Sequence, residues 1–288
     1  MRFSSIHKFI GASLLMISTA VHAEQIEISV GVVEGQLANL QELNEFNPET
    51  CQSDEVFEKE WNRQQMSFLI FCRAVQIGGV QATFTFKSYP NYARTLAEVK
   101  RGSFMVMNAA PWQADGQNEN LYQSAAVLKN GMFVKGVYTR ADHPELHAIK
   151  ERDDWRKFTA VSNDNWLLDW NVLIDMGVGT TSVGNYVMMA RMVHNSRADF
   201  MLASFPSNPD LTQTIGGVEL VPVQGIKVNL PASRHFVMSK NVENSGVVFE
   251  ALGTGLRVLE GKGLVDQGYA NAGYPNPNVN EWNTLCCE

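Results

Sequence analysis

Basic residues are in short supply. The 288-residue chain carries 23 Lys and Arg against 30 Asp and Glu. Two of the basic residues, Arg2 and Lys8, sit in an N-terminal stretch that reads as a leader, and residues 1–23 hold no acid. The rest of the chain, from Glu24 on, therefore has 21 basic and 30 acidic residues, a net charge of −9. Binding to nucleic acid needs a basic surface to meet phosphate, so this balance argues against a nucleic-acid partner. Long apolar runs are missing as well. The longest, Phe9 to about Ile17, falls short of the ~20 residues that span a bilayer. With its positive flank and the small residues Val21 and Ala23 around His22, it has the form of a cleaved signal peptide. No cysteine comes directly after it, so lipid attachment at that point is not expected.

Catalytic signatures are lacking too. There is no Cys-x-x-Cys, no glycine-rich phosphate loop and no Ser/His/Asp order, and the six histidines are scattered. His143 and His147 stand alone as a pair at helical spacing, too few ligands for a metal centre. No catalytic residue, metal or cofactor is expected. Only four cysteines occur, Cys51, Cys72, Cys286 and Cys287. In an oxidising compartment they can pair, in three ways that sequence does not separate. A bond between the adjacent Cys286 and Cys287 is strained. The expectation is a staple from the C-terminal tail to Cys51 or Cys72.

What is present is an ordinary globular mix, 45% hydrophobic and 18% charged, patterned in alternating strands and helices. Ile26, Ile28, Val30 and Val32 alternate as a strand does. Asp54 to Ile77 carries Phe57, Trp61, Phe68, Cys72 and Val75 at helical spacing and ends at Gly78-Gly79. Ala82, Phe84 and Phe86 form a second strand. Asn91 caps a helix that closes at Lys100-Arg101-Gly102 with the cations and glycine suited to a C-terminus. Phe104 to Met107 is a third strand. Residues 25–112 thus read as β-α-β-α-β, a parallel unit with right-handed crossovers, which binds ligands at the C-terminal ends of its strands. Further strand patterns lie at 132–139, 158–162, 198–203, 218–223 and 234–239. Helical patterns start near Asn163 or Asp164, after Thr180-Thr181-Ser182, and at about Asn244. The tail from Gly268 is rich in Asn, Pro and Gly.

Two β/α units with a final helix suggest a discontinuous first lobe, residues 24–134 and 237–288, and a second lobe, residues 135–236. The chain leaves the first near Lys135 and returns near Phe236, and the two crossings form a hinge.

The order of these elements resembles the family 3 extracellular solute-binding proteins, the periplasmic receptors of amino-acid-type importers. Ser88 to Leu96 followed by Val99-Lys100-Arg101-Gly102 looks like that family's second strand and its next helix. Tyr122 to Ala126 looks like its element before the crossover, Ser196 to Phe200 like a strand start in its second lobe, and Ala251 to Tyr269 like its C-terminal signature. The resemblance implies a type II periplasmic-binding-protein-like α/β fold: two lobes, each a mixed sheet flanked by helices, joined by hinge crossovers. It also implies a periplasmic, monomeric protein that captures a small polar ligand for the membrane permease of an ABC importer or for a membrane receptor. Two departures stand out. Members that bind amino acids place an Arg shortly after the third strand, and Asn108 to Gln117 holds none. They place an acid past the second-lobe strand start, where Ser204 and Phe205 stand here. The ligand expected is therefore not a standard α-amino acid. A ligand-independent scaffold, a sensor partner and a dehydratase-like enzyme stay open as alternatives.

Candidate ligand residues come from strand ends and helix starts. Trp112, Tyr89, Tyr92 and Tyr122 would form aromatic walls in the first lobe, as small-molecule pockets favour. Asn108 adds a polar group, and Glu34, just past the first strand, a carboxylate. In the second lobe, Thr181 and Ser182 precede a helix whose free N–H groups favour anions, although an ordinary cap accounts for them equally. Asp169 lies among Trp166 and Trp170, where packing is the simpler reading.

Overall fold

A computed structural model of the protein describes residues 25–37, 40, 51–149, 152–206 and 208–285. Strand β1 (Ile26–Val33) alternates as expected, with Ile28, Val30 and Val32 buried. Helix α1 (Arg63–Ile77) is next, opened by a reciprocal capping box between Asn62 and Gln65, which satisfies donors that the first turn leaves orphaned. The sequence pattern runs one helix from Asp54. The structure instead makes a short 3-10 turn at Asp54–Glu58 and starts the helix at Arg63, because Asn62 takes the cap. Strand β2 (Ala82–Tyr89) pairs in parallel with β1 over its full length, from Ile26↔Ala82 to Val33↔Tyr89. Helix α2 (Tyr92–Arg101) is capped by Asn91 and ends at Gly102 with φ 85°. Strand β3 (Val106–Met107) lies parallel to β1 on its other side. The β-α-β-α-β unit stands as the pattern implies.

A one-turn helix α3 (Gln113–Gly116) leads to β4 (Leu121–Leu128). The chain then crosses to β5 (Val134–Thr139). Beyond α4 (Pro144–His147) come β6 (Thr159–Ser162), α5 (Leu167–Asp175), β7 (Gly179–Ser182), α6 (Tyr186–His194), β8 (Met201–Ser204), β9 (Gln213–Ile215) and β10 (Val218–Asn229). Strand β10 runs six residues past the expected Val223. A bulge between Pro222 and Lys227 lets it pass Pro222 and Gly225 and stay paired with β5; bulges are where strands accommodate such residues. Strand β11 (Arg234–Ser239) then returns to the first sheet. Helices α7 (Ser245–Gly261) and α8 (Leu264–Asn271) and a two-residue strand β12 (Asn283–Thr284) complete the chain.

The first sheet has the order β2-β1-β3-β11-β4 and the second β12-β10-β5-β8. The parallel pair β6-β7 joins the second through a bridge between Ala160 and Phe200. Both sheets are mixed and flanked by helices, the two-lobed α/β architecture expected.

Two features correct the sequence reading. Cys51 pairs with Cys72, not with the tail. Cys72 is buried on α1 where the 3-10 turn packs, and the Cα atoms are 5.9 Å apart, within disulfide range. Cys286 and Cys287 lie outside the described residues. The end of the chain also leaves the first sheet. Asn283 and Thr284 pair in parallel with Ile226 and Lys227 of β10, Trp282 packs edge-on against Phe205, and Asn276 donates to the Pro206 carbonyl. Residues 272–285 therefore bridge the two sheets as a third crossing.

Candidate functional site

The crossings bring one set of side chains together. Arg234, the first residue of β11, is buried. Its Nη1 donates to the Ala109 and Ala110 carbonyls at 3.2 and 3.0 Å. The guanidinium carbon lies 3.8 Å from the Trp112 ring centre and 4.6 Å from that of Phe133, and those two rings meet edge to face at 5.1 Å. Arg63, the first residue of α1, sends Nη1 to the same Ala109 oxygen at 3.4 Å. It lies 5.6 Å from Phe133 and 5.8 Å from Tyr274, and Tyr274 stacks on Phe133 at 5.2 Å. Burial, and after it the Arg63 charge, pull the Arg234 guanidinium down to about 10, so it is still protonated at neutral pH. Among the described residues neither guanidinium forms an ion pair, and Arg234 Nε is buried with no hydrogen-bond partner.

Lys135 comes two residues after Phe133, so the two share a side of the extended chain. Lys135 Nζ forms a short ion pair with the buried Asp169 of α5 and lies 5.8 Å from the Trp166 ring. Trp166 in turn meets Tyr186 at 6.0 Å. Burial, then the charges of Asp169 and Tyr274, push the Tyr186 phenol well above its ordinary range, so it is a neutral donor. Val134 faces the opposite way, into a cavity shared with Lys227, Asn229, Pro275, Val279 and Thr284. The Lys227 amine there is already committed to the Val279 and Asn280 carbonyls, at 2.8 Å each. The unpaired charge lies on the Phe133 side.

The structure gathers some of the expected residues and scatters others. Trp112 sits in the arginine cluster. Asn108 is buried beside it and donates to the Gln64 carbonyl at 3.0 Å. Tyr92 lies close by and donates to Asp115 at 2.5 Å; burial and then the Asp115 charge push its phenol far up. Asp169 lies in the group around Lys135. Tyr89 packs against Phe104 at 5.3 Å, inside the first lobe. Tyr122 stacks on Phe249 of α7 at 4.7 Å, on a helix-covered part of its sheet. Glu34 is exposed in the turn after β1. Thr181 and Ser182 are exposed at the end of β7, and the cap of α6 is Asn185, whose side chain accepts from Met188 N. The helix cap lies three residues beyond Ser182.

Arg63, Phe133, Lys135, Arg234, Tyr186 and Tyr274 are not singled out by the sequence as ligand residues. Arg234 carries one usable signal: it is the one Lys or Arg of its strand, Arg234–Ser239, and opens it at a crossing point. His143, one of the two helically spaced histidines, accepts from Leu146 N as a cap and bonds to Asp199 at 3.0 Å.

No protein-family model matches the chain, and no curated protein matches its sequence. Solved structures do match in fold. The BvgS periplasmic VFT2 domain of Bordetella pertussis is 14% identical, with 85% of this chain and 92% of that one covered at a TM-score of 0.54. The probable amino-acid ABC transporter extracellular-binding protein YtmK of Bacillus subtilis is 13% identical, with 87% and 98% covered at 0.55. The GluR0 ligand-binding core of Nostoc punctiforme, solved with L-glutamate, is 13% identical, with 86% and 100% covered at 0.50. The chain has the solute-binding-protein fold. The Arg63–Phe133–Arg234–Trp112 group and the Lys135–Asp169 pair lie where the chain crosses between the two sheets.

Proposed function

We propose that the protein is an exported solute-binding protein that holds a small polar ligand between its lobes and presents the closed form to a membrane permease or receptor. The first lobe would comprise residues 24–134 and 237 onward, with the last strand laid on the second lobe, residues 135–236. The observation that carries this reading is the cluster of charged and aromatic side chains along the crossover, drawn from both sheets and from the tail. Hinge closure of two lobes on a ligand is a well-attested switching mode, and a ligand stabilises the closed form by its differential affinity for it. Trp112 would supply an aromatic wall from the first lobe. Thr181 and Ser182, at the open end of β7, would complete the enclosure from the second. Ser233 Oγ lies 2.8 Å from His235 Nε2, and the other ring nitrogen of His235 bonds to the Ser124 carbonyl and not to an acid, so the pair lacks the carboxylate of a hydrolytic triad, which favours binding over catalysis.

The test is a thermal-shift screen of the mature chain, first unfolded and refolded to strip any carried ligand. Amino acids, dipeptides, organic acids, polyamines and sugars form the panel. A ligand at 100 times its Kd adds roughly 2.7 kcal/mol of stability, so one chemical class should raise Tm by several degrees. Trp112→Ala should weaken that binding while the unliganded protein stays folded. A flat response to every class would overturn the reading in favour of a ligand-independent scaffold.

A further inference from the structure

We propose that Arg63 and Arg234 form the anion clamp of this cleft, and that its ligand is a small organic acid bearing a carboxylate and no ammonium group. The proposal rests on the solute-binding reading and specifies the chemistry of that same site.

Arg234 uses only Nη1 on the protein, for the carbonyls of Ala109 and Ala110. The other edge of the guanidinium, Nε with Nη2, makes no hydrogen bond to a described residue, and Nε is buried. That edge offers two parallel N–H groups, the fork that a carboxylate accepts in bidentate fashion. Leaving a buried donor unsatisfied carries a desolvation penalty, so an acceptor that fills it is favoured. Trp112 and Phe133 both lie against the same guanidinium, 3.8 and 4.6 Å from its carbon to the ring centres, and their edge-to-face contact with each other holds it in place.

The charge inventory points the same way. Arg63 and Arg234 converge on one carbonyl oxygen, and the Arg63 charge disfavours protonation of Arg234. An anion placed against both relieves that repulsion. Of the carboxylates nearby, the buried Asp169 is already neutralised by Lys135. The other carboxylate near the cluster, Asp115, already accepts from the Tyr92 hydroxyl, so among the described residues of the cluster a ligand ammonium finds no acid without a partner. In the conformation described, the Nε edge is closed to water, so the anion reaches it when the lobes part and is trapped when they close.

The experiment titrates the refolded mature chain by calorimetry with succinate, 2-oxoglutarate and benzoate, with the neutral succinamide and benzamide as controls, and with inorganic phosphate. At least one carboxylate should bind and its amide should not. Arg63→Gln should weaken that binding by about ten- to a hundredfold, the range of one charge-assisted hydrogen bond, with Tm of the free protein preserved. Arg234→Lys keeps the charge but loses the fork, and should weaken it as much. Carboxylate binding unchanged in both variants overturns the clamp. Stabilisation in the wider screen by neutral or cationic ligands alone also overturns it, while leaving the solute-binding reading standing. Binding of phosphate without any carboxylate overturns the organic acid. A flat response to every class sinks the underlying reading itself.

Discussion

Arg63 and Arg234 donate to a single oxygen, the Ala109 carbonyl, at 3.4 and 3.2 Å. Two like charges meet there because each is useful elsewhere. Arg63 opens α1, and Arg234 ties the Ala109-Ala110 turn to β11. Ala110 has φ 43°, an unfavourable conformation for a residue with a Cβ, and the bond from Arg234 to its carbonyl holds it in place.

Replacing Arg234 with Met should therefore destabilise the free protein. The buried Ala110 carbonyl loses its charged donor, at roughly 1–3 kcal/mol when unsatisfied, and the Ala109 carbonyl keeps only the long bond from Arg63, offset in part by removing a buried cation. A net loss of about 2 kcal/mol in urea unfolding is expected. Arg63→Gln should leave unfolding free energy unchanged or raised, because it removes repulsion and only a long hydrogen bond. Equal losses in the two variants would show that the pair does not divide into a brace and a free cation.

Much of the scaffold was legible in the sequence. Period-2 alternation placed β1 and β2, Asn91 and Gly102 bracketed α2, and the resemblance implied two lobes. The site was read less well, because its members are far apart in the chain and unremarkable alone. Arg234 looks like a strand residue, and Phe133 like one more apolar side chain. Only the crossing of β4 to β5 and of β10 to β11 puts them against Trp112. Tyr122 failed as a candidate for the opposite reason. It lies in a strand of the right lobe, but α7 returns to cover it with Phe249. The tail was misplaced because β12 is two residues long, held by β10 and by Trp282, and so short a strand has no periodicity to detect.

The Lys135–Asp169 pair should behave as a buried ion pair. Lys135→Met strands the Asp169 carboxylate, which is 4% exposed, and should cost about 3–5 kcal/mol. The double change Lys135→Met with Asp169→Leu should recover most of that loss, since well-packed apolar residues often replace such pairs at little cost. Denaturant midpoints for the two singles and the double measure the coupling. Additive losses would mean that the two residues act separately.

Asp199 should make stability depend on acid pH. Burial pushes its carboxyl up, but hydrogen bonds from His143 and from the Thr159 N–H and hydroxyl outweigh that and hold it below its ordinary value. A folded value below the unfolded one means that its contribution is fully present above the unfolded value of about 4. It is lost as pH falls through the lower, folded value. The Tm difference between wild type and Asp199→Asn should therefore be constant from pH 7 to 5 and shrink toward pH 3. A difference that instead grows on acidification would reverse the assignment.

The packing of α7 on α1 makes two glycines of one helix respond in opposite ways. A Cβ at Gly255 would lie 1.8 Å from the Ala74 carbonyl oxygen, inside α1, so Gly255→Ala must push the helices apart. Neighbouring side chains such as Leu252 and Leu256 are buried in that contact and would lose their fit, and overpacking of this kind typically costs 1–3 kcal/mol. The backbone clash puts the expected cost at or above the top of that range, about 3 kcal/mol. At Gly253 the nearest atom is Arg257 Nη1 at 3.8 Å, a flexible side-chain end in ordinary contact. Gly253→Ala should then gain the helix-propensity difference of about 1 kcal/mol. Urea unfolding of the two variants should place their midpoints on opposite sides of wild type. If Gly255→Ala were also stabilising, α1 and α7 could not be as close as described.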